Sequence, residues 1–397
     1  MNVTQRRKFS LRMPYRYDMI IHLCTLILAV FGLFMVASAT MGQAGGDVMS
    51  LAKTIIKQLV FTVAGYLGMV VMARWFSFER VKRLIAPIVL MTFILLLMAL
   101  FWEVGGARAW IKIPIPGQEV TIQPSEFAKV VIIMVIATYL GDIRNQKLSA
   151  RDLLRNPLLI VGGFCFIVAI LQSDFGSAIV MAGIACICFL VVSYPALARL
   201  QRGLVMILLI GVAFTVWILS PMGEHLIESL PFESYQIQRF TSAMNPFADQ
   251  YGSGYQLING LVSFARGGWT GLGYGNSIQK YTNFPAASTD FILAIVVEEL
   301  GIFGFLVILI SYGFLVGRML MFAMKMKSQR GRVVLVGVSM YFFIHFLFNV
   351  GGVTGLIPLT GVPLLMISSG GSSTMAVMIA IGMAQAVIAQ YRQKKLD

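Results

Sequence analysis

L-I-A-P-I-V-L-M-T-F-I-L-L-L-M-A-L-F-W, residues 84–102, runs without a charge between Arg83 and Glu103. At about 1.5 Å per helical residue this stretch reaches roughly 28 Å, close to the ~30 Å of bilayer hydrocarbon. It is apolar on every face, which marks a membrane span and not a surface helix. Working outward, similar stretches predict spans at 19–40, 54–73, 84–103, 124–141, 157–171, 174–194, 203–220, 290–317, 333–350 and 369–391. Composition agrees. The 397 residues are 58% hydrophobic and 12% charged, with mean hydropathy +0.82, against about 45–50% and about 25% for soluble domains. The expected fold is all-α: a polytopic integral membrane protein of ten transmembrane helices, forming one domain over 1–397.

The net charge of +14 is explained by topology. With the N-terminus inside, 23 Lys and Arg fall in inner segments and 7 in outer ones, with Lys129 within a span. That asymmetry is the positive-inside rule. Arg6, Arg7, Lys8, Arg12 and Arg16 precede the first span, which reads as a signal-anchor, and both termini are expected in the cytoplasm. The basic excess therefore faces anionic lipid. No nucleic-acid motif is visible. Cys24, Cys165, Cys186 and Cys188 lie inside apolar segments and imply neither disulfide nor metal.

One outer segment stands apart. Residues 221–288, between the seventh and eighth spans, form a large extracytoplasmic loop rich in aromatics and ending in the ladder Gly267, Gly268, Gly271, Gly273, Gly275. Loops of this length are functional or disordered, and this composition predicts an ordered cap on the membrane surface.

Ionisable residues in or beside spans cost about 2.5–3.5 kcal/mol each on insertion scales and are functional candidates by default. Glu126 and Lys129 open the fourth span three residues apart, behind Gln123 and Pro124; a structural ion pair and a ligand site explain them equally well. Asp174 stands at the junction of spans five and six, where helix capping and substrate contact are both open. Asp290 begins the eighth span with Glu298 and Glu299 two turns further on, a density of acids that one cap does not explain. Arg108, Lys112, Arg239, Arg266 and Lys280 supply cations in the outer segments, a set suited to a diphosphate. Trp110 can stack on a sugar or belong to the interfacial aromatic belt. The hydroxyls of S-S-G-G-S-S at 368–373 are expected to cap the last span. His22, His225 and His345 are scattered, and neither H-E-x-x-H nor a nucleotide-binding glycine loop occurs.

The ordered set G-A-R-A-W-I (106–111), Q-P-S-E-F-A-K (123–129), Q-S-D-F-G-S-A (172–178), G-S-G-Y-Q (252–256), S-T-D-F-I (288–292) with E-E-L-G (298–301), and I-S-S-G-G-S-S (367–373) resembles the SEDS family of peptidoglycan polymerases. Six motifs in order cover nearly the whole chain. The resemblance implies ten helices in the bacterial plasma membrane, lipid II as substrate, a glycosyltransferase reaction, and a class B penicillin-binding protein transpeptidase as partner. N-S-I-Q-K-Y (276–281) is closer to the cell-division branch than to the elongation branch, which implies the septum and other divisome proteins.

By the same resemblance Asp290 corresponds to the family's essential aspartate, and Trp110, Glu126, Lys129 and Asp174 to other functional positions. Arg108, Arg239, Gln256, Lys280, Glu298 and Glu299 complete the expected substrate-binding set. Two departures are visible. Ser288 stands where many members have His before Thr-Asp-Phe, and Ser369 where many have Tyr before Gly-Gly-Ser-Ser.

A β-1,4 bond made from an α-linked lipid diphosphate inverts the anomeric centre, so one displacement and one base suffice. Asp290 is the expected base, its basicity raised by burial beside Glu298 and Glu299. Lys129, Arg239, Lys280 or a divalent ion, Mg2+ or Mn2+, would neutralise the leaving diphosphate; no other cofactor is implied. A flippase of lipid-linked precursor is the alternative from another class.

Overall fold

The structure, a computed structural model, describes all residues except 1–11, 44, 46, 105, 116–117, 142–147, 219–242, 253, 283 and 397. Eleven helices are described: α1 (Met19–Gln43), α2 (Val48–Trp75), α3 (Phe78–Met98), α4 (Pro124–Leu140), α5 (Ala150–Phe166), α6 (Phe175–Val191), α7 (Ala198–Ile218), α8 (Tyr255–Gly267), α9 (Ile292–Lys325), α10 (Gln329–Val353) and α11 (Gly371–Arg392). Each of the ten stretches expected to span coincides, over most of its described residues, with one of these helices. Eight of these helices are long and apolar enough to cross a bilayer, α5 counting with a π-helical turn over Ile167–Leu171. The other two, α4 and α6, have 17 residues each, about 26 Å.

The sequence itself sets the boundaries. Asp47, Ser77, Ser149, Asp174 and Ser328 each accept a hydrogen bond from a first-turn amide of the helix they precede, satisfying donors that have no intrahelical partner. Pro124 opens α4 at a position where no amide hydrogen is needed.

Two helices form the centre. α11 packs on α2, α4 and α10, and α4 on α3, α6, α10 and α11. α4 is buried on nearly all sides, Lys129 included. Small residues permit the close approach that drives association where lipid removes the hydrophobic incentive: a Cβ on Gly382 of α11 would overlap the α2 backbone at Met69. By contrast, none of α7's apolar span is buried.

At the end of the bundle where the chain ends, Asp18 is almost fully buried and receives Arg318 at 3.1 Å and Arg392 at 2.6 Å. Its backbone exchanges two 2.8 Å hydrogen bonds with the Gln385 amide. The start of α1 is thereby tied to α9 and α11.

Two features at the opposite, loop-bearing end depart from expectation. Ile111–Ile115 and Gln118–Ile122 pair as an antiparallel hairpin, Ile111 opposite Ile122, so the fold is not purely helical. The alternation in I-K-I-P-I and E-V-T-I was the available signal. Secondly, α9 is not one continuous span from 290. Gly301 has φ +64°, ψ −160° and kinks the helix directly after Glu298 and Glu299. The freed backbone groups are met by the glycine ladder: Leu272 donates to the Glu298 carbonyl (2.9 Å), Gly273 to that of Glu299 (2.9 Å), and Ile302 to that of Gly268 (3.0 Å). Side chains at Gly267, Gly271 and Gly301 would overlap the facing backbone.

Candidate functional site

The loop-bearing end gathers the polar residues into two groups. The first lines a cleft of ≈ 60 Å³ between α4, α6, α10 and the segment 361–363: Trp110, Gln123, Glu126, Lys129, Asp174, Ser177 and His345 face it. Lys129 is fully buried, its Nζ 2.8 Å from Glu126 Oε1 and 3.1 Å from His345 Nε2. Tyr341 donates to Glu126 Oε2 at 2.7 Å. A buried charge of this kind persists only when paired and hydrogen-bonded. Asp174 caps α6 and also lines the cleft: Oδ1 accepts from the Ser177 amide (3.0 Å) and Oδ2 from the Gln123 side chain (2.8 Å).

Asp290 sits just before α9, half-buried. Its carbonyl accepts from Asn349 Nδ2 at 2.8 Å, and the same amide donates to Val362 at 3.0 Å. Contrary to the sequence expectation, the serine run does not cap α11 with side chains: Gly370 holds the N-cap position without one. It clamps the preceding residues instead. Ser368 Oγ donates to Thr289 (2.7 Å), the Ser369 amide to the Ser288 carbonyl (2.9 Å), and Ser372 Oγ accepts from the Gln123 amide (3.0 Å). Asp290 and the start of α4 are thus hung from one segment. Ser288, where many family members carry His, acts through its backbone and a 3.4 Å contact with the Ser369 hydroxyl.

The second group is a lock and not an extension of the cleft. Lys280 Nζ is fully buried, 2.9 Å from Glu299 Oε1, 3.0 Å from Ser38 Oγ and 2.6 Å from the Gly275 carbonyl. Glu298 accepts from Ser277 Oγ (2.5 Å) and from the amides of Ile278 and Gln279, with Arg266 at 3.8 Å. These bonds staple the loop to the kink of α9 and to α1. Lys280, Glu298 and Glu299, expected beside the substrate, are absent from the lining of the cleft; Lys280 and Glu299 pair with each other, and Glu298 is met by Ser277, two amides and Arg266. Tyr274 extends the staple, donating to the Phe34 carbonyl at 2.8 Å; burial, then the Glu299 carboxylate, push its phenol above the usual pKa.

Of the remaining expected residues, Arg108 is exposed and pairs with Glu103 at 3.5 Å, Gln256 lies half-buried in the first turn of α8, and Arg239 lies outside the described residues. Sequence reasoning passed over His345, Tyr341 and Asn349. The signal was their spacing of four on α10, which puts all three on one face. Among the described residues no three His, Cys, Asp or Glu side chains gather as a metal cage.

Fold and cleft together define a multi-pass membrane protein with an ionic site sunk into one end of its helical bundle. The family model described as "Cell cycle protein", FtsW/RodA/SpoVE, matches residues 18–393. Relatives include the probable peptidoglycan glycosyltransferase FtsW of Lactococcus lactis, 32% identical over 98% of this chain and 94% of that one. Stage V sporulation protein E of Bacillus subtilis is 34% identical over 92% and 95%. Among solved structures, a chain from a study of a peptidoglycan synthase complex superposes with TM-score 0.71 at 24% identity, covering 96% of this chain and 100% of that one. The rod shape determining protein RodA of Thermus thermophilus superposes with TM-score 0.65 at 21% identity over 95% and 98%. The chain belongs to the FtsW/RodA/SpoVE family.

Proposed function

We propose that this protein is a peptidoglycan glycosyltransferase that polymerises lipid II at the outer leaflet of the plasma membrane, for septal wall synthesis in cell division. Both termini lie in the cytoplasm on this reading, as the distribution of Lys and Arg requires. The observation that carries it is the buried ammonium of Lys129 lining a cleft with Trp110 and Asp174, next to the segment from which Asp290 is hung. The relatives' names support the reaction, and the family's description as a cell cycle protein supports the divisional role.

Asp290 takes the proton from the acceptor sugar's 4-hydroxyl as that oxygen attacks the donor's anomeric carbon; the carbon–diphosphate bond breaks on the opposite side. Lys129 donates to the departing diphosphate, whose growing charge a desolvated cation stabilises more than water would. Asp174 and Gln123 shape the wall, and Trp110 offers an aromatic face to a sugar. Any Mg2+ or Mn2+ enters with the diphosphate, which carries such ions itself. A class B penicillin-binding protein consumes the glycan strand as partner, alongside other divisome proteins.

The test is purified protein with lipid II in detergent, where a flippase yields no polymer because no two sides exist. Glycan product from the parent protein, lost in Asp290→Asn of unchanged melting temperature, is the expected result. Polymer from Asp290→Asn at the parent rate overturns the assignment.

A further inference from the structure

We infer that His345 is a positioning residue that aims the Lys129 ammonium into the cleft, in step with Asp290. The inference rests on the proposed reaction. An ammonium has three N–H donors and no acceptor. Lys129 gives one to Glu126 Oε1 at 2.8 Å and one to His345 Nε2 at 3.1 Å, which leaves the third for the cleft that Lys129 lines. Because Lys129 only donates, Nε2 is the acceptor of the imidazole and Nδ1 carries its hydrogen. Nδ1 lies 3.1 Å from the Pro363 carbonyl and donates to it. His345 is fully buried, so water competes for neither nitrogen.

The same helix face does a second job. Asn349, one turn along α10, holds the carbonyls of Asp290 and Val362, and Val362 precedes the Pro363 that His345 holds. Two side chains one turn apart thus fix the cation of α4, the backbone of the aspartate and the segment between them. Glu126, three residues from Lys129 on its own helix, is itself held to α10 by Tyr341, but it reaches Nζ only from the α4 side. His345 is the α10 side chain that bonds Nζ directly and also holds the Pro363 carbonyl.

The experiment compares His345→Gln, which keeps an acceptor at similar reach, with His345→Met, which keeps bulk without one. Each is purified as a monodisperse species and assayed for lipid II polymerisation with the parent and Asp290→Asn alongside. His345→Met is expected to lose about 10-fold or more in kcat with KM for lipid II changed little, the pattern of an interaction made in the transition state, while His345→Gln stays within about 3-fold of the parent. If His345→Met does not purify, His345→Ala is read by the same criterion. Parent-like turnover in His345→Met, or equal loss in the Gln and Met variants, overturns the inference while an active parent and silent Asp290→Asn leave the proposed reaction standing. No polymer from the parent overturns both.

Discussion

Asn349 donates one amide hydrogen to the backbone carbonyl of Asp290, 2.8 Å away and 59 residues distant in sequence. Its other hydrogen goes to Val362, and two carbonyl acceptors fix which end of the amide faces them. The backbone that carries the Asp290 carboxylate is therefore held from α10, outside Asp290's own turn.

Replacing Asn349 with Leu keeps the volume and abandons both carbonyls. Each unsatisfied buried group costs about 1–3 kcal/mol. The variant is expected to melt lower in detergent and to polymerise lipid II at least ~10-fold more slowly per folded molecule, since small displacements of a catalytic group are costly.

The Lys280–Glu299 pair separates lock from ligand. Lys280→Met leaves Glu299 buried without its cation and is expected to destabilise by about 3–5 kcal/mol. Adding Glu299→Leu should return most of that stability, and with it polymerase activity. A stable double variant that makes no glycan would reinstate Lys280 as a diphosphate ligand.

Glycine at the kink is required twice over. Gly271 and Gly301 have φ of +76° and +64°, and a Cβ on either meets facing backbone. Alanine at each is expected to lower the melting temperature, the loss of stability exceeding the ~1–2 kcal/mol of positive-φ strain alone. Gly313, helical with open space around it, serves as control, and alanine there should be neutral or stabilising by about 0.5–1 kcal/mol.

The Asp18 cluster predicts a different outcome. Asp18→Asn removes the charge shared by Arg318 and Arg392 at the end of the bundle remote from the cleft. Thermal stability is expected to fall by about 2–4 kcal/mol, since two cations lose a buried partner. The polymerisation rate of the folded fraction should remain that of the parent, measured at a temperature below both melting points.

The ten helical stretches were legible because bilayer thickness imposes a length and an apolar composition that the chain displays locally. So were Trp110, Glu126, Lys129 and Asp174, which do share a cleft, because charge at bilayer depth is expensive enough to stand out. What remained hidden were pairings across long separations. Asp290, Glu298 and Glu299 read as one acidic set, yet the two glutamates, on the helical segment ahead of the Gly301 kink, turn to Lys280 and Ser277 on the large loop. His345 read as a stray histidine because its partner lies 216 residues away.

By itself, then, the amino-acid order determined that the chain is a bundle of membrane helices and which ionisable side chains it carries into apolar surroundings. Only tertiary structure decided which distant partners these charges meet: His345 for the Lys129–Glu126 pair at the cleft, Glu299 for Lys280 in the lock. The reason is physical. A buried charge must find a partner within hydrogen-bond reach, and helix packing, which one-dimensional periodicity does not encode, sets who is within reach.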